Sequence, residues 1–154
     1  MIVLDTNVFV RLITKDDVEQ ARLAAALLAG PGPFWVSRVV LLETAWVLRS
    51  RYKFDRAAIN RALGIVVALP RTEVEDRART EAALLQNVGG MDLGDAFILA
   101  SAPDGATLAS FDREFVARAS GAPGGIPAQL VGDLLAVRDR KVSPIARKQG
   151  RRGK

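Results

Sequence analysis

The sequence contains no histidine and no cysteine. Without histidine there is no Ser-His-Asp or Cys-His catalysis and no imidazole to ligate a metal. Without cysteine there is no disulfide, no thiolate nucleophile and no thiolate zinc site. No apolar run approaches the roughly 18 residues of a membrane span. The opening MIVLDTN has no basic segment followed by a long apolar run, so no secretion signal is expected. These absences point to a cytoplasmic protein. A hydrolase of this composition must draw its chemistry from carboxylates, lysines, hydroxyls or a metal held by oxygen.

The 154 residues suit a single domain, and a hydrophobic share of 49% is enough for an ordinary core. The net charge of +5 points to a nucleic-acid partner, but it is unevenly placed. Residues 138–154 hold eight Lys or Arg against one Asp, and 1–137 hold 14 against 16 Asp or Glu. The reading is a near-neutral domain over 1–137 and a basic, disordered tail over 138–154. That tail serves either solubility or RNA binding.

Short apolar runs alternate with helical patterns. Ile2-Val3-Leu4 reads as a buried strand, Phe34 to Ser37 as a second, Thr107 to Ser110 as a third and Gln129 to Val131 as an edge strand. Helices are expected at about 8–13, 17–29, 38–51, 55–69, 92–102 and 113–119, with Asp16 or Asp17 and Asp55 as caps. Thr72 and Glu75 have capping-box spacing and open a further helix ending at Gly89-Gly90. The pattern predicts an α/β domain with a mainly parallel sheet, whose ligands bind at strand carboxyl ends. Asp5 follows the first strand, and Asp112 lies just past the third.

Three carboxylates have only apolar company in sequence: Asp5 in MIVLDTNVFV, Glu43 in VVLLETAWVL and Asp95 in GDAFILA. A carboxylate buried alone needs a partner, a hydrogen bond or a cation. Each also has a plainer role open to it. Asp5 can cap the helix after it, Glu43 can sit on an exposed helix face, and Asp95 can favour a helix N-terminus. Asp92 and Asp112 can each be a cap. If the carboxylates converge they repel one another, and a divalent cation removes the conflict. Oxygen-only ligands suit Mg²⁺ or Mn²⁺, which activates water and stabilises charge on a phosphodiester.

Four stretches carry a family resemblance in order: Leu4-Asp5-Thr6-Asn7 with Val8 to Arg11; Ser37 to Glu43 with Trp46-Val47-Leu48; Asp92-Leu93-Gly94-Asp95-Ala96; and Ser110-Phe111-Asp112-Arg113. Together they resemble the PIN-domain family, and within it the VapC-type toxins of toxin–antitoxin pairs, over roughly residues 1–120. The resemblance implies a three-layer α/β/α sandwich with a mainly parallel central sheet. It implies a Mg²⁺- or Mn²⁺-dependent endoribonuclease with Asp5, Glu43, Asp95 and Asp112 as catalytic and metal-holding acids. Thr6 and Asn7 would orient Asp5, Ser110 would bond near Asp112, and Asp92 would sit at the rim or cap a helix. The sequence departs from the family at Ser110, usually Thr, at Gly94, usually Ala, and in a predicted loop from Gly121 to Pro127 that is richer in Gly and Pro than expected.

The resemblance also implies a cognate antitoxin protein and a homodimer. The docking surface is expected on the helices at 17–29, 38–51 and 55–69, which carry Leu23, Leu27, Trp46, Leu48, Tyr52, Phe54 and Ile59. Cations for RNA are expected at Arg11, Arg49, Arg51, Lys53 and Arg113, with Arg56 and Arg61 nearby. Two other readings compete. One is a non-catalytic PIN module that binds RNA or protein. The other is a phosphoryl-transfer protein with an aspartate nucleophile; haloacid-dehalogenase-like phosphatases want a second Asp where Asn7 stands. The acidic chemistry does not choose between RNA and DNA, and only the resemblance favours RNA.

Overall fold

A computed structural model of the chain describes residues 1–122 and 125–142, with side chains through 137. The chain divides into two compact units, Met1–Ser101 and Ala102–Lys154. Each is taken by itself. The first unit runs β1 (Ile2–Val3), α1 (Thr6–Thr14), α2 (Val18–Ala29), β2 (Phe34–Val36), α3 (Arg38–Ser50), α4 (Arg56–Val67), β3 (Thr72–Val74), α5 (Arg77–Val88) and α6 (Leu93–Ser101). The second holds β4 (Leu108–Ser110), α7 (Arg113–Gly121), β5 (Ala128–Leu130) and α8 (Val131–Val142). The mixed α/β class with parallel strands is as the sequence predicts.

In the first unit the strands pair in the order β1-β2-β3, both pairings parallel. β2 is central, so Phe34 and Val36 are fully buried while Trp35 is half-buried. Leu4, Phe9, Leu41, Leu48, Ile59 and Leu63 complete this core. β1 pairs only with β2 within its unit, and Ile2 and Val3 are exposed rather than buried as expected. In the second unit β4 and β5 pair in parallel, and Phe115 and Ala119 of α7 are buried.

Most predicted elements are present within a residue or two. α8 is a helix that the sequence does not lead one to expect, and in the region of Thr72 residues 72–74 form β3 and not the start of a helix. The Glu75 carboxylate explains the second difference. Its Oε2 accepts from the backbone N–H of Arg38 at 2.9 Å, at the start of α3. Glu75 therefore serves a helix distant in sequence, and Asp76 caps α5 by accepting from Arg79 N–H. α8 continues through Val142, past the boundary at 137 where the sequence reading starts the basic tail. The rest of that tail, 143–154, lies outside the described residues, as do Pro123 and Gly124 of the predicted 121–127 loop.

Of the apolar residues expected on a docking surface, Leu48 and Ile59 belong to the core. Tyr52 and Phe54 are half-buried. Leu23, Leu27 and Trp46 stay exposed.

Candidate active site

Asp5 stands at the carboxyl end of β1 and at the N-cap position of α1, with extended backbone angles. Its side chain makes no capping bond. The other helix starts behave differently. Asp17, Ser37, Asp55 and Asp76 each accept a backbone N–H from the first turn of their helix. Capping by Asp is worth about 1 kcal/mol, so a carboxylate that forgoes it has been turned elsewhere. Asn7 holds it there: Asn7 Nδ2 donates to Asp5 Oδ2 at 3.3 Å. The capping role open to Asp5 from sequence is thereby set aside.

The next residue, Thr6, is buried, and its hydroxyl donates to Glu43 Oε2 at 2.5 Å. Glu43 lies in α3, whose Leu41, Thr44, Ala45 and Leu48 are buried. One hydroxyl therefore brings Glu43 to the N-terminal end of α1, beside Asp5 in sequence. The expectation that Thr6 orients Asp5 needs correcting: Thr6 serves Glu43, and Asn7 alone of the two bonds to Asp5. A second correction concerns burial. Asp5 and Glu43 are exposed, and Asp95 is half-buried. Their apolar sequence neighbours supply the core while the carboxylates themselves leave it.

Asp95 falls in the first turn of α6, where the helix dipole favours a carboxylate. α6 packs against α3 as well as α5. Asp92 directly precedes α6 and binds it as a cap would, its Oδ1 accepting from Gly94 N–H at 2.8 Å. Its Oδ2 pairs with Arg49 of α3 at 3.8 Å.

In the second unit Asp112 is the N-cap of α7, accepting from the N–H groups of Glu114 at 2.8 Å and Phe115 at 3.0 Å. Both bonds end on Oδ1, so the cap does not use Oδ2. Ser110 Oγ accepts from Asp112 N–H at 3.0 Å, which is the neighbouring bond expected of it.

A family model described as PIN domain matches residues 2–120. The chain belongs to the PIN-domain family. Comparison with curated proteins and with solved structures gives no match. PIN domains are commonly nucleases and typically use divalent metal ions. Among the described residues no group of three or more acidic side chains is already gathered as a metal cluster. The donor chemistry nevertheless fits such an ion: Asp5 and Glu43 offer exposed carboxylate oxygens, anchored by an amide and a hydroxyl, with no nitrogen or sulfur ligand.

The expected RNA-binding cations of this PIN domain fare unequally. Arg11 is engaged, donating to Asp16 and, through Nε, to Gln20 at 2.8 Å. Asp16 also accepts from the Tyr52 hydroxyl at 2.6 Å. That hydroxyl, then Arg11 and Thr14, hold the Asp16 carboxyl far below the usual carboxylate range. Arg11 is therefore part of a structural knot joining α1, α2 and the end of α3. Lys53 is exposed and donates to Ser50 O at 2.7 Å, and Arg56 reaches Asn87 O at 3.4 Å. Arg51, Arg61 and Arg113 are exposed. Sequence reasoning missed the service of Thr6 to Glu43 and of Glu75 to α3. Both are contacts between residues 37 apart, for which local patterns carry no signal.

Proposed function

We propose that this PIN domain is a Mg²⁺- or Mn²⁺-dependent endoribonuclease and the toxin of a VapC-type toxin–antitoxin pair, acting in the cytoplasm. The observation that carries the reading is Asp5. It occupies an N-cap position without capping, is held by Asn7, and is followed by the hydroxyl that holds Glu43. Such an arrangement keeps carboxylate oxygens available at a strand end, where α/β folds bind ligands.

In this reading Asp5, Glu43 and Asp95 of the first unit would hold the ion, and Asp112 of the second carries the family's fourth acidic motif. When bound, the ion supplies an activated water and positive charge against the phosphodiester. Asn7 fixes the Asp5 carboxylate, Thr6 fixes Glu43, and Ser110 steadies the turn bearing Asp112. Water attacks phosphorus in line and the bond to the 3′ oxygen breaks. The products carry 5′-phosphate and 3′-hydroxyl ends, with no covalent enzyme intermediate. Arg49, Arg51, Lys53 and Arg113 are exposed cations close in sequence to these elements, and they would meet the RNA backbone.

The antitoxin docks on α2, where Leu23 and Leu27, one turn apart, remain exposed. The active form is a homodimer. Both follow from the family resemblance and wait on co-purification and sedimentation.

The test is cleavage of total RNA by the purified chain with Mg²⁺, Mn²⁺ or EDTA, with the product ends identified. Metal-dependent cutting that leaves 5′-phosphates is expected, and Asp5→Ala should abolish it. A 2′,3′-cyclic phosphate would contradict the mechanism, because it requires attack by the RNA's own 2′-hydroxyl. Full activity of Asp5→Ala would contradict the site. RNA binding without cleavage in any metal would favour a non-catalytic module.

A further inference from the structure

The buried face of α3 accounts for Leu41, Thr44, Ala45 and Leu48, yet the helix also carries its one tryptophan in the open. Trp46 is 67% exposed. An exposed indole offers a flat aromatic face that another ring can cover. Its neighbours say which kind of molecule brings that ring. Glu43, three residues earlier, is the acid held by Thr6, and Arg49, three residues later, pairs with Asp92. Residues three apart adjoin on a helix surface, about 4.5 Å apart along the axis. α3 thus presents a site carboxylate, an aromatic face and a guanidinium in successive turns.

Trp46 also lines a hollow of about 110 Å³ together with Leu42, Ala45, Arg49, Asp92 and Gly94. Gly94 sits close against Asp92. A Cβ at that position would come within 3.1 Å of Asp92 Oδ1, the atom that accepts from Gly94 N–H.

Resting on the ribonuclease reading, we propose that Trp46 is a stacking platform for a base of single-stranded RNA, next to the scissile position, with Arg49 meeting its phosphate. Sequence-tolerant binding of single strands combines an aromatic face with nearby cations, and both occur here within one turn. A protein partner seated on the same indole would have to cover Arg49, whose contact with Asp92 is long and solvent-exposed. Burying a weakly paired charge is costly, whereas a phosphate compensates it. Trp46 is then a positioning residue: it fixes where the strand lies relative to the carboxylates and takes no part in bond breaking.

The experiment uses the full chain carrying Asp5→Asn, so that RNA stays intact, and a labelled mixed-sequence single-stranded RNA read by anisotropy. Trp46→Ala should weaken affinity about 5- to 150-fold, the range for losing one stacked base. Trp46→Phe should keep most of the affinity and Trp46→Leu should not, since leucine is apolar but has no π face. With Trp35→Phe as background, saturating RNA should quench the remaining indole fluorescence. In the cleaving enzyme Trp46→Ala should raise KM more than it lowers kcat. Equal affinity for the leucine and phenylalanine variants, or no loss with alanine, overturns the proposal. So does conversion of a dimer to monomers by Trp46→Ala with RNA affinity unchanged, which would make the face a protein interface. If the wild-type chain neither binds nor cuts RNA, the ribonuclease reading itself falls. If it cuts RNA and Trp46→Ala binds as wild type, only the platform falls.

Discussion

Asp5 and Asp55 occupy the same helix position and do different work, which makes them a matched pair. Asp55 accepts from Ala58 N–H at 2.7 Å, and Asp5 accepts no backbone N–H in a capping bond to its helix. Asp55→Ala should lower stability by about 1 kcal/mol and leave cleavage of folded protein intact. Asp5→Ala should do the reverse, abolishing cleavage with little change in the urea midpoint. A loss of stability with Asp5→Ala equal to that of Asp55→Ala would mean that Asp5 caps in solution. Thr6 offers a finer test. Thr6→Val keeps the buried volume and removes the donor to Glu43. A hydrogen bond to a charged group is worth roughly 1.5–3 kcal/mol, so a drop of tenfold or more in kcat is expected, with rescue by Thr6→Ser. The sequence singles out Asp5, Glu43 and Asp95 because each stands alone among apolar residues. The burial that this inference assumes is not what the structure shows. Apolar neighbours at positions 4, 9, 41 and 48 report the core, and the carboxylates stand outside it. One-dimensional company does not distinguish burial from the opposite face of the same helix.

At the scale of elements, three helix starts were legible from a local capping residue. Asp17, Ser37 and Asp55 each bond within three residues of themselves, and α2, α3 and α4 begin beside them. Thr72 and Glu75 have the same local spacing and form no box, because Glu75 binds Arg38 and Thr72 pairs with Phe34 in the sheet. A tertiary partner outweighed a local one, and no single-sequence pattern weighs the two. The joint between α1 and α2 is another such contact. Asp16 there accepts from Tyr52, Arg11 and Thr14. Its carboxyl is held well below the ordinary value of 3.8, first by the Tyr52 hydroxyl and then by Arg11. A depressed folded pKa means the unfolded chain takes up the proton first. The stabilisation from Asp16 is complete above its unfolded pKa and is lost as pH falls below it, through the folded value. Asp16→Asn should therefore be less stable than wild type near pH 7, and the gap should narrow as acid unfolding is followed below pH 4. Urea midpoints at several pH values measure it, and a gap that does not change with pH would remove Asp16 from that role.

For the whole molecule, the α/β class was readable because apolar runs alternate with helical patterns. Strand pairing was not, since β3 is only Thr-Glu-Val and carries one charged residue in three. Charge is the property of the whole chain that bears most on function. Residues 1–142 hold 17 Lys or Arg and 17 Asp or Glu, and residues 143–154 hold five Lys or Arg and no acid. A nuclease site built of carboxylates repels phosphates, so cations elsewhere must supply the attraction. Stopping the chain after Val142 leaves α8 whole and removes all five charges. Each phosphate contact on a single strand contributes about −0.7 to the slope of log affinity against log salt. Truncation should therefore weaken binding at low salt and flatten that slope by up to about 3.5, if every tail cation meets a phosphate. Turnover of saturating RNA should hardly change, because the carboxylates, Thr6 and Asn7 all precede the cut. Affinity and kcat measured between about 50 and 200 mM salt separate the two effects. An unchanged slope would leave the tail to solubility and place RNA attraction on the exposed cations at Arg51, Lys53 and Arg113.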